Sequence, residues 1–267
     1  MECKHECSAC SASCGSAEPA AENERAPLCR GASVKKVVAV AGGKGGAGRS
    51  VMSCLIASEL ARRGLRAGIL DADVTGASVA HYMGAREFCR DSDECFFPVV
   101  KDAVQLASVE LALGDKPNPT AWRANTASDA VLMFWSEMCW DNVDVLLVDL
   151  PAEIGDIALT VYQALPVDAT VLVARESVLS VTAALRSGVM SLMSSVPVIA
   201  ALINRCGGSE REAVSGAIGN LCRAFRLPNA IRCPDSTKLA EVADLGELGA
   251  YELGAVSLAA DEIQRLL

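Results

Sequence analysis

At 267 residues the chain is long enough for one large α/β domain with a complete core and a short appendage. Half of it is hydrophobic (51%) with few aromatics (4%), so the core is expected to be built of Val, Leu, Ile and Ala. A net charge of -9 argues against nonspecific binding to DNA or anionic lipid, which need a basic face, and no apolar run reaches the ~18 residues of a membrane span.

Residues 1–33 are rich in Cys, Ser, Ala and Glu, are interrupted by Pro19 and Pro27, and show no periodicity. They are expected to form a flexible tail, with the folded domain running from residue 34 to 267. The opening residues lack the basic segment and apolar core of a secretory signal, so the twelve cysteines are expected as reduced thiols in a cytoplasm. Cys3, Cys7, Cys10 and Cys14 form C-x3-C-x2-C-x3-C, with His5 among them as a bystander. So short a segment cannot bury a core of its own, and any order in it has to come from a bound group. Four thiolates suit a [4Fe–4S] cluster or zinc, and an unliganded tail is the third reading.

Val37 to Ala41 is an apolar, β-branched-rich run that suits a buried parallel strand. Directly after it, Gly43, Lys44, Gly45, Gly46, Ala47, Gly48, Arg49 and Ser50 follow the pattern G-x-x-x-x-G-[basic]-[ST]. Glycines let successive N–H groups turn inward onto phosphate oxygens, and the helix beginning near Ser50 adds its positive dipole end. A second basic residue, Lys44, lies inside the loop, and Arg49 stands where lysine is usual.

A helix is expected over Ser50–Arg63, then a strand over Ala67–Leu70 that ends in Asp71-Ala72-Asp73. A helix over Thr120–Trp140 precedes a strand, Val145–Val148, that ends in Asp149. There follow helix Ile157–Ala164, strand Ala169–Ala174, helix Val178–Met193, strand Val196–Ile203, helix Glu210–Phe225, strand Ala230–Arg232 and helix Ser257–Leu267. This alternation implies right-handed crossovers and a three-layer, mainly parallel, doubly wound α/β sheet. Carboxylates at strand ends beside a phosphate loop suit a magnesium nucleotide, one holding the metal's water shell and one orienting an attacking water; a helix cap is the plainer reading of each. Cys54, Cys139 and Cys222 lie in apolar helical stretches and are expected as small buried hydrophobes.

GGKGGAGRS, DADVTGASVAHYMG, NPTAWRA, FWSEMCWDNVDVLLVDLPAEIGD and LTVYQALPVDATVLVA together resemble the Mrp-type iron–sulfur cluster carrier ATPases, relatives of MinD and ParA. The likeness runs from Val34 to Leu267 and takes in the cysteine tail. It implies a P-loop NTPase fold, ATP with Mg2+, and a homodimer or a heterodimer with a paralogue that delivers [4Fe–4S] clusters to client apoproteins. By the same resemblance Gly43, Gly45, Gly46, Ala47, Gly48, Arg49 and Ser50 surround the phosphates, with Ser50 on the metal. Lys44 reaches across the dimer, Asp71 and Asp73 serve the metal and the hydrolytic water, and Asp149 is the Walker B carboxylate. Asn204 matches the residue that reads adenine, with a loop cap as the other reading, and the tail cysteines are favoured as iron–sulfur ligands over zinc ligands.

Three departures set this chain apart. Arg49 is bulkier and planar where lysine is usual, which predicts nucleotide binding with slow hydrolysis. Glu153 stands where the family's DxPPGTGD switch has glycine, adding bulk and a charge that repels the terminal phosphate. No C-x-x-C follows the strand before Asn204: Cys206 is alone, Cys233 and Cys222 are the nearest substitutes, and Cys89 with Cys95 forms a loose C-x5-C. A regulatory paralogue that binds nucleotide and pairs with an active relative is the alternative function. A MinD- or ParA-like positioning ATPase is disfavoured by the short acidic C-terminus and the charge.

Overall fold

Val37–Ala41 carries no polar side chain, and in the computed structural model, which describes residues 25–87, 90–91, 96–113, 124–207 and 211–267, it is the buried part of β1 (Val34–Ala41). Such a strand needs cover on both faces. Its alternation divides the core accordingly: Val37, Ala39 and Ala41 join one hydrophobic cluster, Val38 and Val40 the other.

After β1 come α1 (Arg49–Arg62), β2 (Ala67–Asp71), α2 (Val79–Met83), β3 (Arg90–Asp91), β4 (Phe96–Phe97), β5 (Val99–Lys101) and β6 (Val104–Ala107). Then follow α3 (Val109–Leu113), α4 (Ala124–Ser136), β7 (Val143–Asp149), α5 (Asp156–Ala164), β8 (Val167–Arg175) and α6 (Val178–Met193). The chain ends with β9 (Val198–Cys206), α7 (Glu212–Phe225), β10 (Ile231–Pro234), α8 (Thr237–Leu245) and α9 (Gly254–Gln264).

The main sheet has eight strands in the order β10-β9-β8-β1-β7-β2-β6-β5, and β3 pairs with β4 apart from it. Every pairing in the main sheet is parallel except that of β5 with β6 at one edge. Helices α1, α2, α8 and α9 cover one face through Met52, Leu55, Val79, Ala243 and Val256. Helices α4 to α7 cover the other through Val131, Ala158, Val181 and Leu221. The three-layer α/β architecture is therefore the one expected. From β1 the chain moves to β2 on one side and later crosses to β8 on the other, so the crevice opens beyond the carboxyl ends of β1 and β7.

Several boundaries differ from the sequence pattern for identifiable reasons. The apolar pattern of α4 continues to Trp140, but the helix ends at Ser136, and Met138 and Trp140 are buried in the turn leading to β7. β9 begins at Val198 because Pro197 has no N–H to give the ladder. The short elements β5, β6, α2 and α3 carry too few residues for a period to register. α8 was also unmarked by the pattern, although Ser236 caps its start by accepting from Leu239 N (3.1 Å) and Gly246 ends it at φ 75°.

Residues 25–33, expected within the tail, lie along the domain. Ala26 N donates to Ala164 O (2.8 Å), Trp135 Nε1 donates to Ala26 O (2.8 Å), and Ser33 N donates to Trp140 O (2.9 Å). Leu28 and Ala32 pack against the core, so the packed chain begins before the expected boundary at Ser33. Cys3, Cys7, Cys10, Cys14, Cys89 and Cys95 lie outside the described residues. Among the described residues no helix is long and apolar enough to cross a membrane.

Candidate functional site

The loop between β1 and α1 sits at the crevice. Lys44, Gly45 and Gly46 are exposed at its tip, whereas Ala47 and Arg49 are buried at its base. Gly43 is pressed onto α6, where a Cβ would strike the Ala183 carbonyl. Gly48 is the N-cap of α1 at φ 90°, and its Cα faces the Asn204 amide so closely that a Cβ would collide with Nδ2. From that position its carbonyl accepts the first helical hydrogen bond, from Met52 N (2.9 Å).

Register brings the acidic strand ends together. Asp149 pairs with Val40 on β1 and with Asp71 on β2, so both carboxyls lie beside the loop. Asp149 is fully buried; its Oδ1 accepts from Ser53 Oγ (2.9 Å), and Ser50 also hydrogen-bonds to the carboxyl. Its Oδ2 is buried without a partner. Burial raises the Asp149 carboxyl, opposed by Ser50, by the Arg49 charge and by Ser53. Burial, reinforced by the Asp149 charge, also raises Asp71.

Asp71, expected to serve the metal, is buried and hydrogen-bonded to its own loop. Its Oδ2 accepts from Ser78 N (3.2 Å), Val79 N (3.3 Å) and Ser108 Oγ (3.2 Å), and its Oδ1 accepts from Asp73 N (3.2 Å). With its oxygens so occupied, it organises the loop that carries Asp73. Asp73 is partly exposed; Gly76 N donates to its Oδ1 (3.2 Å), and Arg49 Nη2 lies 3.7 Å from its Oδ2. Arg49 Nη1 donates to Gly42 O (3.4 Å), while Nε is buried without an acceptor.

Asn204, near the end of β9, has its amide committed on both sides, Nδ2 donating to Ala47 O (3.1 Å) and Oδ1 accepting from Arg205 N (2.8 Å). In this arrangement it tethers the phosphate loop to the strand. It also lines a cavity of about 270 Å³ with Gly48, Val51, Tyr82, Pro234 and Leu239. Glu153 is exposed on the loop before α5 and borders a narrow cleft shared with Gly42 and Pro151.

The donor set fits a magnesium nucleotide. An unpartnered carboxylate oxygen on Asp149, the Ser50 hydroxyl beside it and an unpartnered guanidinium N–H on Arg49 are complementary to a hydrated divalent cation and to phosphate. Sequence reasoning missed Ser53, although it lies one helical turn from Ser50, and Ser108, which follows a strand with no legible pattern.

The cysteines of the described part lie in differing surroundings. Cys233 is fully buried, and burial, reinforced by Cys206, pushes its thiol up to about 12. Burial also raises Cys222 on α7, and Cys206 Sγ donates to Ile203 O (3.0 Å). Cys54 is buried as expected, whereas Cys139 is only partly buried, with its sulfur 3.4 Å from Cys29 Sγ.

A glycine-rich loop after the central strand, with carboxylates at the ends of its neighbours, defines a P-loop nucleotide-binding domain. Residues 33–247 match the ParA family described as NUBPL iron-transfer P-loop NTPases, and the chain belongs to that family. It is 32% identical over 226 residues to an iron–sulfur cluster carrier protein of Pseudomonas fragi, covering 81% of this chain and 78% of that one. A Methanococcus maripaludis protein of the same description is 32% identical over 213 residues, covering 78% and 73%. A third, from Rickettsia conorii, is 30% identical over 211 residues or 79% of this chain, which spans 65% of that relative's length. Among solved structures, a nucleotide-binding protein from Archaeoglobus fulgidus in complex with ADP superposes with TM-score 0.66 at 25% identity, over 82% of this chain and 89% of that one. The cell division ATPase MinD of Pyrococcus furiosus shares the fold at TM-score 0.62 and 18% identity, over 87% and 99%.

Proposed function

We propose that the chain is an ATP-binding iron–sulfur cluster carrier that assembles [4Fe–4S] clusters and delivers them to cytoplasmic apoproteins. The pairing of an unpartnered Asp149 Oδ2 with an unpartnered Arg49 Nε around the glycine loop is the observation that carries the nucleotide half. Mg2+, held by Ser50 and through water by Asp149, would neutralise phosphate charge. Gly43, Gly45, Gly46, Ala47 and Gly48 would present backbone amides to the phosphates, and the exposed Lys44 would meet the nucleotide of a partner subunit. Asp73 would orient the hydrolytic water, with turnover slow because the bulkier, planar Arg49 stands where lysine is usual.

The cargo half rests on Cys3, Cys7, Cys10 and Cys14 and on the relatives' descriptions. Anaerobic reconstitution with iron and sulfide tests it. The chain is expected to gain a broad absorbance near the visible edge, lost when Cys7 and Cys10 are changed to serine. A colourless product that binds zinc on the tail would sink the cargo reading. The Arg49–Asp73 contact favours a second reading, a slowly hydrolysing regulatory paralogue paired with an active relative, which predicts nucleotide binding without cluster uptake.

A further inference from the structure

Arg49 begins α1 and turns inward, only 7% exposed. Its three nitrogens meet three different circumstances: Nη1 on the Gly42 carbonyl, Nη2 beside Asp73, and Nε facing no acceptor. A lysine ammonium is one point charge on a flexible stem. The guanidinium is a rigid fork of five donors, and only such a fork spans a carbonyl and a carboxylate while keeping a further N–H in reserve.

We propose that Arg49 is a positioning residue that latches Asp73 in the nucleotide-free site and releases it when a phosphate takes the guanidinium. The proposal rests on the nucleotide-binding reading above. Nε is the donor left for that phosphate, since a buried N–H without an acceptor marks an incomplete site. A phosphate accepts from guanidinium in bidentate fashion and carries more charge than one carboxylate, so it is the stronger partner. The same exchange leaves the Asp73 carboxylate, among the described residues, with the hydrogen bond from Gly76 N, free to turn toward the crevice. Part of the nucleotide's binding free energy is then spent in opening the Arg49–Asp73 pair.

The test is a double-mutant cycle on the full chain with Arg49→Lys, Asp73→Asn and the double variant, read by thermal midpoint without nucleotide and by calorimetric affinity for Mg-ADP. Arg49→Gln takes the place of Arg49→Lys should the lysine variant not fold. Without nucleotide the two substitutions are expected to be non-additive. Asp73→Asn is expected to tighten ADP by about fivefold, the scale of a pair in direct contact, and the gain should vanish when Arg49 is also changed. Equal tightening in both backgrounds would mean simple removal of a like charge and would overturn the latch, as would additivity without nucleotide. A wild-type chain that gives no heat with ADP yet shows non-additive midpoints defeats the nucleotide reading and reduces the pair to a static contact, which also ends the proposal.

Discussion

Ser53 Oγ donates a 2.9 Å hydrogen bond to Asp149 Oδ1 in the fully buried interior, one turn along α1 from Ser50. The bond fixes one carboxylate oxygen and leaves the other directed at a site with no protein partner. Ser53→Ala is expected to lower stability by about 1–2 kcal/mol, because a buried acceptor loses its donor. Urea unfolding measures this, and magnesium-dependent ADP binding should weaken in the same variant. Unchanged magnesium dependence would show that Ser53 supports the fold alone.

Gly48 combines two constraints, φ 90° and the Asn204 amide against its Cα. Gly48→Ala is expected to cost roughly 1–2 kcal/mol from the left-handed backbone, with the collision added. Asn204→Ala removes the tether to Ala47 and also the obstacle. In the double variant the steric part should disappear and the backbone part remain. Full additivity in urea midpoints would refute the account.

Cys233 has its thiol pushed up to about 12 by burial, with Cys206 adding to the rise. Thiolate is the reactive form, so this thiol stays protonated and unreactive through neutral and mildly alkaline pH. Alkylation of the native chain at about pH 8 should therefore leave Cys233 unlabelled, and unfolding in urea should expose it. Cys233→Ala should leave the iron content of a reconstituted chain unchanged; a loss of iron would return Cys233 to the ligand set.

Asp144 accepts from Lys35 Nζ (2.6 Å) and Arg66 N (2.9 Å), and these bonds hold its carboxyl below the ordinary 3.8. A lowered folded value means that the stabilisation is complete above 3.8 and is lost as pH falls through the folded value. Lys35 is largely exposed, so the contribution is modest, about 1 kcal/mol at neutral pH for Asp144→Asn. The difference between wild type and variant in urea midpoint should hold above 3.8 and narrow as pH falls below it. A difference that persists in acid would assign the effect to packing.

Most of the alternation of strands and helices, the phosphate loop and the carboxylates that end β2 and β7 were legible along the chain, because each rests on spacing between near neighbours. The unbroken apolar run of β1 even announced cover on both faces. Spacing does not say which partner a side chain meets, and there the tertiary structure decided. Asn204 binds Ala47, 157 residues earlier, and Asp71 is consumed by Ser78, Val79 and Ser108, because register and crossovers bring those groups within hydrogen-bond reach. Residues 25–33 dock on α4 through the Trp135 indole and on α5 through a backbone bond, neither of which a local pattern encodes. The sequence by itself determined that a glycine loop follows a buried strand; only the fold decided that Arg49 turns inward to Gly42 and Asp73, since a side chain's direction is set by the charges and carbonyls that distant segments place around it.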